Sequence, residues 1–461
     1  MGYSRFTVSN FRCFKLEREL CLAQPIQDKS GSGLTYIVGA NNSGKTTLIE
    51  SLWIKKDYYL NDSEKQLLPP IFKFYSGDKL VRTVKLLRDN AFVFIEEPER
   101  KDDESLFEII SSRRHWESGA QGTSSSSNII KQSALGENPR KQQGNVQTAL
   151  FLKDIESNLT RYNNFTAFVK KVIPEFTAWA VGFENHPYIK YLSSDGVTHK
   201  ADFLGDGVIS VIRILAHLYE GRSSGLIIDE PELSLHPLAQ KRLIKVIAEC
   251  AEKRQIIIST HSPYFISWEY IKNGAVLNRL AKQDDTTSEI FTIKDFSKYE
   301  KLIKGGNWQQ PFLMDVVSKE LFFQDNVLFL EGQEDVGLLK KFFVDHDINL
   351  FGYGVRGYDN FELALELAKD LGIKKAAVLI DSPSNPSSRK NENTVREILE
   401  KKYQQNRYKM IQWDKTDIRD KAAATGPAKQ GYFDSNGQLK TNGSQDDFNK
   451  KIKSVIEYFK D

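Results

Sequence analysis

The hydrophobic residues of this chain form short apolar runs typical of buried strands, each followed by a helical pattern. Phe6 and Val8 alternate with polar residues, as in a half-buried strand, and a second strand is predicted over residues 35–38. Further along, the runs LIID and IIIST are separated by a helix that begins at Pro237. Continuous apolar runs joined by a helix predict two buried parallel strands.

The same alternation starts again after about residue 300 and predicts a second, smaller parallel sheet. The predicted elements are a strand at 327–330, a helix at 335–344, a strand near Val355, a helix at 361–371 and a strand at 376–380. A closing helix is expected at Phe448 to Phe459, after a tail rich in Gly, Asn and Ser. We therefore expect an α/β chain with one domain over residues 1–300 and another over 301–461.

Three stretches of the first domain interrupt this pattern. Residues 70–99 predict a hairpin whose two strands flank a charged middle. Residues 111–147 turn to Ser, Gly, Gln and Asn without apolar periodicity, which is typical of a mobile insertion. A helical segment follows at 148–173, and its predicted buried side consists of Leu150, Leu152, Ile155, Leu159 and Phe165.

Composition places the chain among ordinary globular proteins. Of its 461 residues, 40% are hydrophobic and 27% charged, and the net charge is only +3, so any nucleic-acid contact must come from a local basic surface. The three cysteines have no metal-ligand spacing, which fits a reducing compartment. The N-terminus does not resemble a signal peptide, and no apolar stretch approaches the roughly 18 residues that predict a membrane span. We expect a cytoplasmic protein with no membrane partner.

A glycine-containing loop between the second strand and a helix matches the phosphate-loop pattern in full, as GANNSGKT. Its two glycines permit a tight turn, so that successive amides point at phosphates, Lys45 holds the β- and γ-phosphates, and the Thr46 hydroxyl reaches Mg²⁺. A plain glycine turn before a helix is the alternative, but the strand before and the helix after favour ATP binding. The expected nucleotide-binding residues are Gly39, Asn41, Asn42, Ser43, Gly44, Lys45, Thr46 and Thr47.

Two acids at the end of the strand LIID supply the other half of an ATPase site. Asp229 is expected on the Mg²⁺ shell and Glu230 against the attacking water, although a salt-bridged strand end is the plainer interpretation. His261 follows the next strand, where an imidazole can reach the γ-phosphate or the water. A lone histidine is usually structural, but its place at a strand end favours a catalytic role.

These motifs together resemble the ABC ATPases of the SMC-like and OLD-like kind over roughly residues 1–270. The resemblance rests on Asn10-Phe11-Arg12, the loop Gly39 to Thr47, Asp229-Glu230-Pro231, Leu235-His236-Pro237 and Ser259-Thr260-His261. It implies that Leu204 to Val208 is the signature segment, which in this family contacts the nucleotide bound by a second head. Gly205 stands at the position of the usual serine, so the contact is expected through the backbone of Gly205 and Gly207. A glycine turn capped by Asp206 is the alternative. If the signature applies, ATP joins two heads into a homodimer, with a tetramer left open.

Three acids in the second domain are spaced so that they meet at one edge of its sheet. Glu331 follows the strand at 327–330, Asp335 lies one helical turn on, and Asp381 follows the strand at 376–380. Because parallel strands end at the same edge, these carboxylates can together hold hard divalent cations. The order strand-Glu-Gly, middle strand near Gly357 and strand-Asp resembles the TOPRIM fold over roughly residues 320–420. Joined to an ABC ATPase, it resembles the OLD-family endonucleases, including those of Gabija and retron defence systems.

The resemblance implies that Glu331, Asp335 and Asp381 bind Mg²⁺ or Mn²⁺ and catalyse phosphodiester cleavage. The family's second aspartate is Pro383 here, which removes one ligand and leaves a degenerate, non-cleaving domain as the alternative. Asp414 or Asp417 is expected to complete a second metal position. One of the basic side chains Lys415, Arg419 and Lys421 is expected to stabilise the leaving phosphate, and no spacing rule decides which.

Residues 389–421 contain ten Lys or Arg and six Asp or Glu. Tyr403, Tyr408 and Trp413 are interleaved with these bases, as in a surface that tracks a phosphate backbone and stacks bases, although a solvated helix face fits equally well. The favoured hypothesis is an ATP-gated, Mg²⁺-dependent antiphage nuclease that acts on DNA or RNA, alone or beside a helicase or a reverse transcriptase with its RNA/DNA. The alternative is an ATP-dependent nucleic-acid sensor or scaffold that works through a partner.

Overall fold

The chain forms two compact units, which we describe from a computed structural model. The first comprises Met1–Val38 and Asn42–Ile290, and the second comprises Gly39–Asn41 and Phe291–Asp461. The structure describes residues 2–53, 68–89, 91–97, 107–111, 148, 150–183, 187–192, 196, 198–200, 206–220, 223, 225–284, 286–294, 297–299, 319–352, 361–382, 390, 393, 396–397, 401, 407–422, 428–441 and 444–460.

The first unit contains an antiparallel sheet near its N-terminus. Its five strands are β1 (Arg5–Ser9), β2 (Arg18–Cys21), β4 (Ile71–Ser76), β5 (Lys79–Asp89) and β6 (Ala91–Glu97), in the order β2-β1-β4-β5-β6. The two predicted strands of the hairpin are present as β4 and β6, but they are not joined directly. The charged residues between them form the long strand β5 (79–89) instead of a loop. The backbone N–H and C=O groups of β5 are hydrogen-bonded to the neighbouring strands, and this pairing does not depend on whether the side chains are charged. A run of charged residues therefore does not by itself indicate a turn.

A second, mainly parallel sheet forms the centre of the first unit. It contains β3 (Leu34–Gly39), β7 (Phe107–Ile110), β11 (Gly225–Asp229), β12 (Gln255–Ser259), β13 (Val276–Lys282) and β14 (Ser288–Ile293), in the order β14-β13-β3-β12-β11-β7. The pairs β3–β12, β12–β11 and β11–β7 are parallel, and every residue of β3, β11 and β12 is buried. The predicted buried parallel strands are confirmed.

Helices and one small sheet complete the described part of the first unit. The helices are α1 (Lys45–Leu52), α2 (Leu159–Lys170), α3 (Asp206–Glu220), α4 (Pro237–Cys250) and α5 (Trp268–Lys272), and the small sheet has the order β10 (Thr198–Lys200), β9 (Pro187–Leu192), β8 (Ala178–Phe183). One hydrophobic core joins the two larger sheets: Phe6 and Phe72 from the antiparallel sheet, Leu48 from α1, and Ile227 and Ile257 from the central sheet belong to one buried cluster.

The helical segment predicted at 148–173 is helical over residues 150–156 and again in α2. Asn158 separates the two pieces, because its side chain caps α2 by accepting a hydrogen bond from the Arg161 N–H. Leu152, Ile155 and Phe165 are buried as expected, but Leu150 and Leu159 are 60% and 74% exposed. The prediction was wrong for these two because a single continuous helical face was assumed across the break. The insertion at 111–147 lies outside the described residues, apart from Ser111.

The second unit is built on a four-stranded parallel sheet. Its elements are β15 (Asn326–Leu330), α6 (Gln333–Phe343), β16 (Asn349–Phe351), α7 (Phe361–Asp370), β17 (Lys375–Ile380), β18 (Tyr408–Gln412) and α8 (Ser444–Lys460), with 3-10 turns at Ser297–Tyr299 and Glu320–Phe323. The strand order is β16-β15-β17-β18, and all three pairings are parallel. The predicted α/β class, with a larger first unit followed by a smaller unit built on a parallel sheet, is confirmed.

Two details of the second unit differ from the prediction. The middle strand lies at Asn349–Phe351 rather than near Val355, and residues 353–360, with Gly357, lie outside the described residues. Tyr408 and Trp413 are only 7% and 3% exposed, so the prediction that they form a base-stacking surface is wrong. Trp413 instead stacks on Phe448 of α8, with ring centroids 5.7 Å apart and planes at 13°. Tyr403 lies outside the described residues.

Among the described helices, none combines the length and the apolar character that crossing a lipid bilayer requires.

Gly207 at the start of α3 provides a test of the packing in the first unit. A Cβ atom at this position would lie 2.3 Å from the Ser234 carbonyl oxygen, a backbone atom that can move only with its chain. We expect Gly207→Ala to lower the free energy of unfolding by about 1–3 kcal/mol through overpacking. The matched control is Gly337→Ala in α6, where a Cβ meets nothing within 4 Å, and it should gain up to about 1 kcal/mol from helix propensity. Urea titrations that rank the two variants in the opposite order contradict this packing.

Candidate nucleotide and metal sites

The loop after β3 has the backbone of a phosphate-binding turn. Gly39, Asn42 and Gly44 have φ angles of 146°, 61° and 100°, in the left-handed region that glycine and asparagine tolerate best. The helix α1 begins directly afterwards at Lys45, and its N-cap residue Gly44 has no side chain to cap it. A helix that starts this way directs its first N–H groups and the positive end of its dipole toward an anion.

Arg12 connects the predicted Asn10-Phe11-Arg12 motif to this helix. Asn10 and Arg12 have φ angles of 54° and 48°, which turn the chain sharply after β1. The turn lets Phe11 pack into the core, and the Arg12 guanidinium forms an ion pair with Glu50 of α1 at 2.6 Å. The motif therefore fixes the helix that follows the phosphate loop.

Lys45 lies among acidic side chains from the end of β11. Burial is the main cause that lowers the pKa of its ammonium group to about 8, and the negative charges of Glu230, Asp229 and Glu232 partly oppose that shift. The lysine is 7% exposed and still largely charged at neutral pH. Its charge and burial suit it to hold a polyphosphate.

The pairing of β11 with β12 brings the predicted acids next to the predicted histidine. Asp229 pairs in register with Ser259, and the Glu230 N–H donates to the Ser259 carbonyl at 2.8 Å. His261 Nε2 then lies 3.7 Å from Glu230 Oε1. Glu230 adopts a φ of 47°, a left-handed conformation that costs a side-chain-bearing residue about 1–2 kcal/mol.

His261 is a neutral imidazole at physiological pH. Burial, and then the positive charge of Lys45, lower its pKa to about 4. The 3.7 Å approach to Glu230 is therefore not an ion pair at pH 7, and it is too long for a hydrogen bond. A neutral ring places no positive charge beside the Glu230 carboxylate.

Glu232 is a member of this cluster that sequence reasoning missed. Its two carboxylate oxygens accept hydrogen bonds from the His261 N–H at 2.6 Å and from the Thr260 hydroxyl at 2.9 Å. Burial is the main cause that raises its pKa. The only signal in the sequence was a third acid in Asp229-Glu230-Pro231-Glu232, and a strand-end acid is usually a solvated residue.

The predicted signature segment is described only in part. Gly207 lies in the first turn of α3, packed against the carbonyl of Ser234, while Gly205 lies outside the described residues. Val211, Ile212, Leu215 and Leu218 of α3 are buried, as the helical spacing predicts.

In the second unit, the structure brings the three predicted acids to one edge of the sheet. Glu331 follows β15 and Asp381 follows the adjacent β17, and the Asp381 N–H donates to Glu331 Oε1 at 2.8 Å. Asp335, in the first turn of α6, accepts a hydrogen bond from the Gly332 N–H at 2.9 Å. The same strand-end geometry that gathers the acids of the first unit thus recurs here.

These three carboxyl groups are partly buried, and their negative charges repel one another. Burial is the main cause that raises the pKa of Asp335 to about 7 and that of Asp381 to about 8, and the charge of Glu331 adds to both shifts. Burial also raises the pKa of Glu331, with Lys429 among the groups that oppose it. Within the described ranges, no three His, Cys, Asp or Glu side chains are arranged to hold a metal ion. The chemistry of the donors nevertheless fits Mg²⁺ or Mn²⁺, because buried carboxylate oxygens are hard ligands and a cation lowers their pKa.

A network of charged side chains surrounds Asp417 beside this acidic cluster. Asp417 is 2% exposed and pairs with Lys421 at 2.9 Å and with Lys429 at 3.0 Å, and these two hydrogen bonds hold its pKa below the ordinary value against the effect of burial. Glu334 in turn pairs with Arg419 and Lys421. Of the two expected second-metal acids, Asp417 contributes to the field at Asp381, whereas the Asp414 side chain is 66% exposed and lies 3.5 Å from Lys451. Sequence reasoning missed Lys429 and Glu334.

The fold of the first unit and the loop between β3 and α1 are those of a P-loop nucleotide-binding unit. A family model described as "AAA domain" matches residues 5–133, and one described as "AAA domain, putative AbiEii toxin, Type IV TA system" matches residues 144–267. The chain is similar to an OLD nuclease of Thermus scotoductus, with 28% identity over 238 residues that cover 49% of this chain and 44% of that protein.

Two further proteins are similar to this chain, one over a shorter stretch of sequence and the other with lower sequence identity. An uncharacterized protein of Methanocaldococcus jannaschii is 33% identical over 152 residues, covering 32% of this chain and 17% of that protein. The SMC head domain from Thermotoga maritima overlays 64% of this chain and 99% of its own length, with 13% identity and a TM-score of 0.37. The chain thus spans less than half the length of the curated relatives that it matches.

The raised pKa values in the second unit predict a pH-dependent stability. Asp335 and Asp381 bind protons more tightly in the folded protein than in the unfolded chain, so their contribution is present at low pH and lost as pH rises through about 7 to 8. In EDTA, we expect the thermal midpoint of the wild type to fall between pH 6 and pH 9 by more than that of Asp381→Asn, which stays neutral. The exposed control Asp414→Asn should follow the wild type. Equal pH dependence in all three proteins contradicts the assignment.

Proposed function

We propose that this protein is an ATP-gated nuclease, in which nucleotide binding by the first unit controls Mg²⁺-dependent cleavage of DNA or RNA by a TOPRIM-like second unit. The observation that carries the ATPase half is the convergence of Lys45, Glu230 and His261 next to the phosphate loop. The nuclease half is supported by the carboxylates of Glu331, Asp335 and Asp381 at one sheet edge and by the similarity to an OLD nuclease.

In the ATPase half, each residue has a separate task. The amides of the loop at 39–47 and the Lys45 ammonium bind the phosphates, with Asn41, Asn42, Ser43 and Thr47 lining the loop. Thr46 and Asp229 would hold Mg²⁺, whose contribution would be positive charge at the leaving phosphates. Glu230 orients and deprotonates the attacking water, and the neutral His261 ring beside it contacts the γ-phosphate or that water.

In the nuclease half, the buried acids hold the cation and the nearby lysines meet the substrate. Glu331, Asp335 and Asp381 would hold a divalent metal, and their carboxyl groups would give up their protons to do so. The chemistry such a metal would supply is polarisation of the phosphodiester and activation of water. Lys421 and Lys429, both fixed by Asp417, place positive charge where a scissile phosphate approaches.

Pairing of two heads is part of the proposal. A signature segment at 204–208 that contacts the nucleotide of a second copy makes ATP the link in a homodimer, and a tetramer is compatible with the same contact. We also propose a role in defence, in which a helicase or a reverse transcriptase with its nucleic acid restrains the nuclease; the support is the resemblance of the ATPase and TOPRIM motifs to defence-associated OLD-family endonucleases.

A sensor that binds nucleic acid without cutting is the second candidate. It is favoured by Pro383, which stands where the TOPRIM pattern has an aspartate and so removes one carboxylate from the metal site. In that case the ATPase half is unchanged and the second unit acts by binding alone.

ATP binding and hydrolysis can be separated with two variants. Lys45→Ala should weaken the affinity for a fluorescent ATP analogue at least about tenfold, because it removes a buried cation from the phosphate site. Glu230→Gln should bind the analogue like the wild type but lower kcat roughly 100-fold or more through loss of the base. Lys245→Ala, an exposed lysine on α4, is the matched control and should change neither value. Saturable binding that is equally strong in Lys45→Ala contradicts the nucleotide site.

Cleavage is tested on plasmid, single-stranded DNA and RNA with Mg²⁺ or Mn²⁺, in the presence and absence of ATP. We expect Glu331→Ala and Asp381→Ala to reduce cleavage at least about 100-fold, since each removes a metal ligand. Glu457→Ala, at an exposed carboxylate on α8, serves as the control. Intact substrates under every condition, from protein that still hydrolyses ATP, support the sensor instead.

A further inference from the structure

Glu232 holds the segment that carries His261, although it is not itself placed for chemistry. One of its carboxylate oxygens accepts the His261 backbone N–H at 2.6 Å, and the other accepts the Thr260 hydroxyl at 2.9 Å. Both oxygens are therefore occupied by the loop that follows β12. The neighbouring Glu230, by contrast, directs its carboxylate toward the His261 ring.

The hydrogen bonds continue from this loop to the turn before α4. The Thr260 hydroxyl oxygen accepts the Ser262 N–H at 2.9 Å, and the Ser262 hydroxyl donates to Gln240 Oε1 at 2.6 Å. The Gln240 amide then donates to the Leu235 carbonyl at 2.8 Å. The chain of bonds runs from Glu232, through the histidine loop, back to a residue three positions after Glu232.

This closed path has an energetic basis. Thr260 is 0% exposed, and Ser262 and Gln240 are 7% and 8% exposed, so their polar groups are satisfied by one another rather than by solvent. Glu232 accepts two of these hydrogen bonds from the histidine loop, one at each carboxylate oxygen, which gives it the largest share in fixing the loop. If Glu232 is replaced by a side chain that cannot accept hydrogen bonds, the His261 N–H and the buried Thr260 hydroxyl lose the acceptor that they share.

We propose that Glu232 is a positioning residue for ATP hydrolysis, which holds the His261 loop through the Thr260 hydroxyl and the His261 N–H so that the imidazole stays beside Glu230. The proposal deepens the ATPase assignment and rests on it. It gives the third acid of Asp229-Glu230-Pro231-Glu232 a task distinct from metal binding and from proton transfer. A displacement of the ring by even about 1 Å is enough to slow a positioned reaction about 100-fold.

The test compares two variants of similar size to the native residue. Glu232→Gln keeps an oxygen that accepts the His261 N–H and an amide that can donate to the Thr260 hydroxyl, so we expect kcat for ATP within about threefold of wild type. Glu232→Leu keeps the volume but removes both acceptors, and we expect kcat to fall about 10- to 100-fold with KM changed less than about threefold. Glu252→Leu, a partly exposed glutamate outside the network, is the control and should retain wild-type kcat.

A double-mutant cycle with His261→Ala identifies the route of the effect. In the His261→Ala background, Glu232→Leu should lower kcat by less than about threefold, because the ring that it positions is already absent. Thermal unfolding without nucleotide checks that each variant is folded. If Glu232→Leu does not fold, Thr260→Val takes its place, with an expected severalfold loss of kcat that also disappears in the His261→Ala background.

Three outcomes overturn the inference while ATP binding and hydrolysis by the wild type stand. These are wild-type kcat in Glu232→Leu, a loss in Glu232→Gln as large as in Glu232→Leu, or losses that multiply in the double variant. The second outcome indicates that the negative charge itself is required, and the third indicates that Glu232 acts independently of His261. Failure of the wild type to bind the fluorescent ATP analogue is a separate result, and it removes the ATPase assignment together with this inference.

Discussion

The parallel pairing of fully buried strands is the constraint on which both candidate sites depend. A strand with both faces buried satisfies its backbone only through its neighbours, and the packing of its apolar side chains fixes its register. In the first unit, this pairing sets Asp229 beside Ser259, and the residues that follow, Glu230 and His261, come within 3.7 Å of each other. In the second unit, the pairing of β15 with β17 sets Glu331 beside Asp381.

The two sites differ in how their acids are balanced. In the first unit, the buried Lys45 lies in the field of three acids, Asp229, Glu230 and Glu232, whose charges partly oppose the effect of burial on its pKa. In the second unit, Asp335 and Asp381 face Glu331, and the nearby lysines are committed to Asp417 and Glu334. Protons fill the role of the missing positive charge there.

The sequence was sufficient for most of the framework and for the members of both sites that lie on strand ends. Buried strands, the phosphate loop and α4 with its N-terminal Pro237 each carry a local pattern whose physical cause is short-range. The errors arose where distant packing decides the outcome. Trp413 and Tyr408 lie in a basic stretch of sequence but are buried, and Trp413 stacks on Phe448 of α8. Leu150 and Leu159 are exposed because Asn158 caps α2 and so divides the predicted helix in two. Glu232 and Lys429 acquire their importance from partners 29 and 12 residues away, which no local spacing records.

The left-handed backbone of Glu230 has a consequence for the protein's tolerance of change. A residue at φ 47° is strained unless it is glycine or, to a lesser degree, asparagine. Replacement by either relieves that strain while removing the carboxylate. Selection for heat resistance alone is therefore expected to replace Glu230 by glycine or asparagine, which gives more stable proteins without ATPase activity. Only selection for ATP turnover keeps a glutamate at this position.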